Sequence, residues 1–281
     1  FGTSGSTVNV SSDGSTWASD TLAASFATRD AASGLLDDGS STYKPSAMVI
    51  VGNNTNVAQY TADGENWATS TIGTNFSTNE NGVAYGDGAF VVVNPNTTDI
   101  AYSLNGGSTW SVATGVLPGA GYQKIAYGMG LFVAIDPGTT NVAWSADKGL
   151  TWSTASDVTN LTAANWVDIA WGNGRFLAVS STSEVGYSLN GDTWYDGAPD
   201  LGALTTTHLA YGQGVFVIAN SNTSTGILYK SEDGLAWTQV TGTFGQTVAF
   251  GNPDQLGKFV SAANNGTSAF IGLVGARARG R

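Results

Sequence analysis

Ser145-Ala146-Asp147-Lys148-Gly149-Leu150-Thr151-Trp152 is one of six versions of a turn that closes on a tryptophan. The others end at Trp17, Trp67, Trp110, Trp194 and Trp237, so successive tryptophans lie 50, 43, 42, 42 and 43 residues apart. Each version carries Asp or Asn at the same place: Asp13, Asp63, Asn105, Asp147, Asn190 and Asp233. A fixed period near 42 residues marks a repeat architecture, in which one unit cannot bury its apolar face alone.

Between the tryptophan turns runs a second repeated block. Val83-Ala84-Tyr85-Gly86-Asp87-Gly88-Ala89-Phe90 recurs from Ile125, Ile169 and Leu209, and from Val248 with a longer turn before Lys258-Phe259. Strand, Gly-bracketed turn, strand is a hairpin pattern. Its second strand continues as an apolar run (Phe90-Val91-Val92-Val93, Phe176-Leu177-Ala178-Val179), as in strands packed on both faces. A third strand follows a polar loop (Asp99–Tyr102, Asn141–Trp144, Glu184–Tyr187, Gly226–Tyr229), and the fourth begins at the tryptophan.

Each repeat therefore predicts four short antiparallel strands, and such sheets repeated radially make an all-β propeller. Six hairpins and six tryptophans predict six blades. In the first copy the drifted segments Gly34–Asp38 and Ala47–Val51 are read as first and second strands. The chain opens on a third strand (Thr7–Val10) and ends on a first–second hairpin (248–262), so pairing of the two termini is expected to close the ring. Residues 268–273 resemble a seventh third strand, either at the outer edge of that shared blade or belonging to a partner. The propeller is assigned to 1–274, with a basic tail, 275–281, beyond it.

The turn Ser145–Trp152 resembles the Asp-box of bacterial neuraminidase repeats, S-x-D-x-G-x-x-W. Ser103–Trp110 matches with Asn105 in the Asp place, and the other four copies are one residue shorter. The resemblance implies a propeller, and it implies structural roles for the Asp/Asn side chains, which bond turn N–H groups, and for the tryptophans, which pack between blades. The full block is also similar to propeller modules of phage virion and bacterial surface proteins. That likeness implies a structural or attachment role on a virion or extracellular surface.

Composition narrows the partners. Only 11% of residues are charged and the net charge is −11, so the chain lacks the basic footprint that nucleic acid requires. No apolar run is long enough to span a bilayer. No cysteine and one histidine remove thiolate and multi-histidine metal sites, and no cofactor motif is present. The chain starts at Phe1 with no signal peptide, which suggests a processed piece of something longer.

The Asp-box suggests sialidase chemistry first, but that chemistry clamps the substrate carboxylate with three arginines. Here Arg277, Arg279 and Arg281 crowd the tail, leaving Arg29 and Arg175 in the body. A two-carboxylate glycosidase could draw on Glu80 and Asp168, though nothing in the sequence pairs them. His208 has no nucleophile motif to serve. The expectation is a non-enzymatic module, with a secreted glycan-cleaving propeller as the alternative.

Departures from the repeat mark the candidate binding residues. Three residues before each first-strand aromatic stand Gly82, Lys124, Asp168, His208 and Thr247, which should ring the mouth of the axial channel. Tyr122 and Trp166, just upstream of two of them, read either as ligand platforms or as packing under their own loops. The basic tail could dock on a neighbour's acidic face, or be a solvated terminus. The expected partners are other virion or surface proteins, or a glycan, engaged by a homo-oligomer or multicopy array. Avidity of roughly 10²–10⁴ then compensates for modest single-site affinity.

Overall fold

The computed structural model describes residues 4–10, 18–35, 46–53, 55–76, 82–113, 117, 119–161, 166–182, 184–197, 201, 207–220, 226–244, 247–251, 258–262 and 269–272. The chain is all-β, with one 3-10 turn at Thr74–Phe76 among these residues. Its sheets are antiparallel and follow one another along the chain.

The first sheet contains β1 (Ser4–Val10), β2 (Ala18–Leu35), β3 (Ser46–Asn53), β4 (Val57–Thr61) and β5 (Ala68–Thr71). Four-stranded sheets follow. They are β6 (Gly82–Gly86) to β9 (Ser111–Val112), with β7 (Ala89–Val93) and β8 (Ile100–Ser103) between, and β10 (Lys124–Gly128) to β13 (Ser153–Thr154), with β11 (Leu131–Ile135) and β12 (Val142–Ser145). Next come β14 (Trp166–Gly172), β15 (Arg175–Ser180), β16 (Val185–Ser188) and β17 (Trp194–Asp196), then β18 (Thr207–Gly212), β19 (Val215–Asn220), β20 (Gly226–Ser231) and β21 (Thr238–Phe244). The last described sheet has three strands: β22 (Thr247–Gly251), β23 (Lys258–Ala262) and β24 (Ala269–Gly272).

The first strands β2, β6, β10, β14, β18 and β22 neighbour one another in that order, so they form the inner layer. The repeated Gly-x-Gly turns are tight two-residue hairpins. Gly86 pairs with Ala89, and Asp87 and Gly88 between them both take positive φ, at 48° and 77°.

The rest of the block follows from packing between sheets. The first-strand aromatic tilts onto the second-strand phenylalanine of its own hairpin, with ring centroids 4.9 Å apart for Tyr85–Phe90 and 4.6 Å for Trp171–Phe176. The same ring lies over the glycine that ends the preceding inner strand. A Cβ on Gly128 would meet the Trp171 ring at 2.0 Å, and one on Gly172 would meet Tyr211 at 2.2 Å. The glycine is thus required by the aromatic of the next repeat. Second strands are buried along nearly their whole length, and the apolar clusters straddle neighbouring sheets, as where Val91 and Val93 pack with Phe132 and Ala134.

Two expectations change in the first repeat. Its first strand is residues 27–35, the second half of β2, which pairs with β3 from Ala27↔Asn53 to Leu35↔Ser46. The proposed Gly34–Asp38 strand is displaced because Ala32-Ser33-Gly34 occupies the place of Ala84-Tyr85-Gly86. Gly34 faces Tyr85 as Gly128 faces Trp171. Serine in place of the aromatic hides the match. The pairing expected between the termini is not among the described ladders: β1 bonds β2, and β23 bonds β24.

Candidate functional site

The tryptophan turns come first because they fix the sheets. In each described copy the Asp or Asn oxygen accepts backbone N–H groups further along the turn: Asp63 from Glu65 and Asn66, Asn105 from Thr109, Asp147 from Thr151, Asn190 from Asp192 and Thr193, and Asp233 from Leu235 and Ala236. The preceding Ser or Thr oxygen takes the turn glycine's N–H. That glycine sits against the preceding sheet. Gly149 has φ of 85°, and a Cβ there would meet Val91 at 2.9 Å.

Trp194 is fully buried, whereas Trp67, Trp110, Trp152 and Trp237 are half-buried. Trp152, Trp194 and Trp237 each donate their indole N–H to the carbonyl of their own turn glycine, while Trp67 and Trp110 donate to Asp20 and Ser70. Asp13 and Trp17 lie outside the described residues.

The inner strands carry the candidate site. Register places Asp30 on β2 at the position held by Gly82, Lys124, Asp168, His208 and Thr247 on the later strands, four residues before the strand-ending glycine or its equivalent. Asp30 was not legible as a ring member, since the strand carrying it was placed elsewhere. The sign that could have found it is Ala32-x-Gly34.

Asp30 and Asp168 make the same pair of bonds. One oxygen takes the N–H of the next residue, from Ala31 at 2.9 Å and from Ile169 at 3.0 Å. The other reaches the following inner strand, taking the N–H of Val83 at 3.1 Å and of Leu209 at 2.9 Å. Both carboxylates are therefore latches between adjacent inner strands.

Charged groups on different inner strands lie near enough to influence one another. Burial raises the pKa of Asp30 above the ordinary carboxylate range; Lys124 opposes that shift and Asp168 adds to it, although β6 and β10 separate their strands. Burial lowers the pKa of His208, with the Asp168 carboxylate opposing and Lys124 adding to the shift. His208 Nδ1 lies 3.9 Å from Asp168 Oδ2, beyond hydrogen-bond range, and its side chain keeps 35% of its surface exposed. The imidazole and its neighbours can thus be touched from solvent, while the acids are held by the backbone.

Tyr122 and Trp166 do not join this mouth. Tyr122 is 0% and Trp166 1% exposed, each within an apolar cluster between two sheets. The open ring face that a platform needs is absent, which corrects their reading as binding residues. Neither the Tyr122 hydroxyl nor Trp166 Nε1 has a hydrogen-bond partner among the described residues, and burial pushes the Tyr122 pKa up.

Glu80 and the 275–281 tail lie outside the described residues. The Arg175 guanidinium lies 5.5 Å from the Tyr187 ring centroid, and Tyr187 stacks on Tyr195. Among the described residues no group of three or more His, Asp or Glu side chains could hold a metal ion. Among the described residues no helix is long and apolar enough to cross a membrane.

Radial four-stranded sheets around a layer of inner strands define a β-propeller. No protein-family model matches the chain, and no curated protein matches it. Among solved structures it is similar to YCF48 bound to D1 peptide, with a TM-score of 0.60 at 16% identity, covering 88% of this chain and 79% of that one. At that identity the likeness shows the propeller fold alone.

Proposed function

We propose that this chain is a six-bladed propeller that attaches to a protein partner without catalysis, in many copies, as part of a virion or an extracellular surface. The observation that carries the reading is the state of the mouth carboxylates. Asp168 has one oxygen on Ile169 N–H and the other on Leu209 N–H, so it is held as a strand latch and not poised as a nucleophile or base. Asp30 is held in the same way.

Six sheets in sequence, each with its inner strand, support the blade count. The turn bonds at Asp63, Asn105, Asp147, Asn190 and Asp233 suit an Asp-box and support kinship with neuraminidase-type repeats. A protein partner is favoured over a glycan because the two aromatics best placed to stack on sugar, Tyr122 and Trp166, are buried. The similar structure holds a peptide, which supports the same choice. The virion or surface setting rests on the resemblance of the repeat block to such modules.

The test is a tiled array of peptides from candidate virion and surface proteins, probed with the native chain and with Lys124→Ala and His208→Ala. The expected result is selective peptide retention that both substitutions weaken by tenfold or more while the melting temperature holds. Retention on a glycan panel in place of peptides, or peptide binding indifferent to both substitutions, overturns the reading.

A further inference from the structure

Two segments of this chain have the credentials of a third strand for one and the same edge. The first is β1. Trp67 Nε1 donates to Asp20 on β2, just as Trp110 Nε1 donates to Ser70 on β5. Asp20 and Ser70 each stand three residues after their own repeat's tryptophan, Trp17 and Trp67. The start of β2 therefore stands to the first repeat as β5 stands to the second, as a fourth strand of the blade before. Beside it, β1 pairs through Val10↔Ala18, the match of Tyr102↔Ser111 between β8 and β9. So β1 and the start of β2 are third and fourth strands whose own first and second strands lie elsewhere in the chain.

The hairpin that fits them is β22–β23, which follows β18 in the inner layer and has no described fourth strand. Its third-strand place is taken by β24, through Phe259↔Gly272, Val260↔Ile271, Ser261↔Phe270 and Ala262↔Ala269. The repeat register gives β1 its own alignment on the same edge. Val91 faces Tyr102 and Val92 faces Ala101, so Val260 would face Val10 and Ser261 would face Asn9. One side of β23 is bonded to β22, and its other side has a single row of N–H and C=O groups. Only one of the two segments can use that row at a time.

We infer that β1 and β24 are alternative partners of β23 within one chain, and that exchanging β24 for β1 converts an open arc into a closed ring. In this structure β24 holds the edge, and among the described residues no strand pairs with the outer side of β1. In the exchanged state β1 and the start of β2 complete the last blade, and 269–272 are released as an extended segment. The inference rests on the six-blade count proposed above.

Cross-linking tests it in the full chain, which has no cysteine of its own. One variant carries Ser261→Cys with Phe270→Cys, and the other Asn9→Cys with Ser261→Cys. Directly facing residues on antiparallel strands come close enough for a disulfide. Under mild oxidation each pair should close within a monomer. Adding Phe270→Pro and Ile271→Pro to the second variant, which removes ladder donors from β24, should raise its cross-linked fraction several-fold. An Asn9/Ser261 pair that stays reduced while the Ser261/Phe270 pair closes overturns the inference. So does closure only as covalent dimers, or a yield the prolines leave unchanged. Face-on electron-microscopy averages of the same preparation count the blades independently, so a failed exchange is distinguished from a wrong count.

Discussion

The indole N–H of Trp67 donates to the carboxylate of Asp20 at 3.1 Å, joining residues 47 apart in sequence. Trp110 and Ser70 repeat the contact one blade further on, at 3.0 Å. Each bond ties the tryptophan of one repeat to the outer strand of the repeat before it. Asp20→Ala should destabilise the chain by about 1–2 kcal/mol, and Asp20→Asn, which keeps an acceptor, by clearly less. Chemical denaturation of the two variants side by side checks this. Equal loss in both would show that the hydrogen bond is not what Asp20 contributes.

Trp166 and Trp194 are both buried between sheets, so truncating either to alanine should cost about 3–5 kcal/mol. Trp152, half-buried at the edge of its cluster, should cost less. Tyr122→Phe removes a buried hydroxyl with no partner among the described residues, and should leave stability unchanged or raise it. Thermal unfolding of the four variants gives the ranking. A small loss at Trp166 would return it to the ligand-facing role.

Two glycines two positions apart, Gly128 and Gly130, should behave differently for steric reasons. Gly128→Ala places a methyl 2.0 Å from the Trp171 ring, and the close-packed sheets can yield only by moving apart. A loss of about 3 kcal/mol or more is expected. Gly130 has φ of 79° with nothing within 4 Å of an added Cβ, so Gly130→Ala meets backbone strain alone, about 1–2 kcal/mol. Denaturant midpoints reporting equal losses would contradict the inter-sheet role of Gly128.

Acid should loosen the turns. Backbone N–H bonds from Ala236 and Leu235 hold the Asp233 carboxyl below the ordinary value of 3.8, and bonds from Asn66 and Glu65 do the same for Asp63. A depressed folded pKa gives stability that is present above the unfolded pKa and is lost as the pH falls through the folded one. Asp30 has the opposite sign. Burial raises its pKa, so its contribution is complete below 3.8 and is lost as the pH rises. The chain itself supplies the control, since Asn105 and Asn190 fill the same turn position with an uncharged oxygen. Asp233→Asn should match the native chain near pH 7 and lose less stability between pH 5 and 2. A steeper acid loss in the variant would reverse the assignment.

The repeat was legible because its marks are demanded by packing that recurs. The aromatic of one block lies over the glycine of the block before, and the Asp or Asn of the turn must meet backbone N–H groups. The first repeat was misread where that grammar lapses, since Ser33 removes the aromatic that signals a first strand and takes Asp30 out of view. Trp166 and Tyr122 could not be told from platforms because they stand outside the repeat, and only the structure shows that they enter the apolar clusters between sheets. The competition at β23 was half visible, in a seventh third-strand-like segment whose place only the pairing reveals. Lys124, Asp168 and His208 lie on inner strands, and that Asp168 serves as a latch is visible only in the geometry of Leu209 N–H.

The central claim is contact without turnover at the axial mouth. It is tested by incubating the chain with mixed peptides and glycans and comparing the masses of all components before and after. Every mass should be unchanged, with the retained fraction made up of peptides. A glycan or peptide product that disappears with Asp168→Asn would contradict the account.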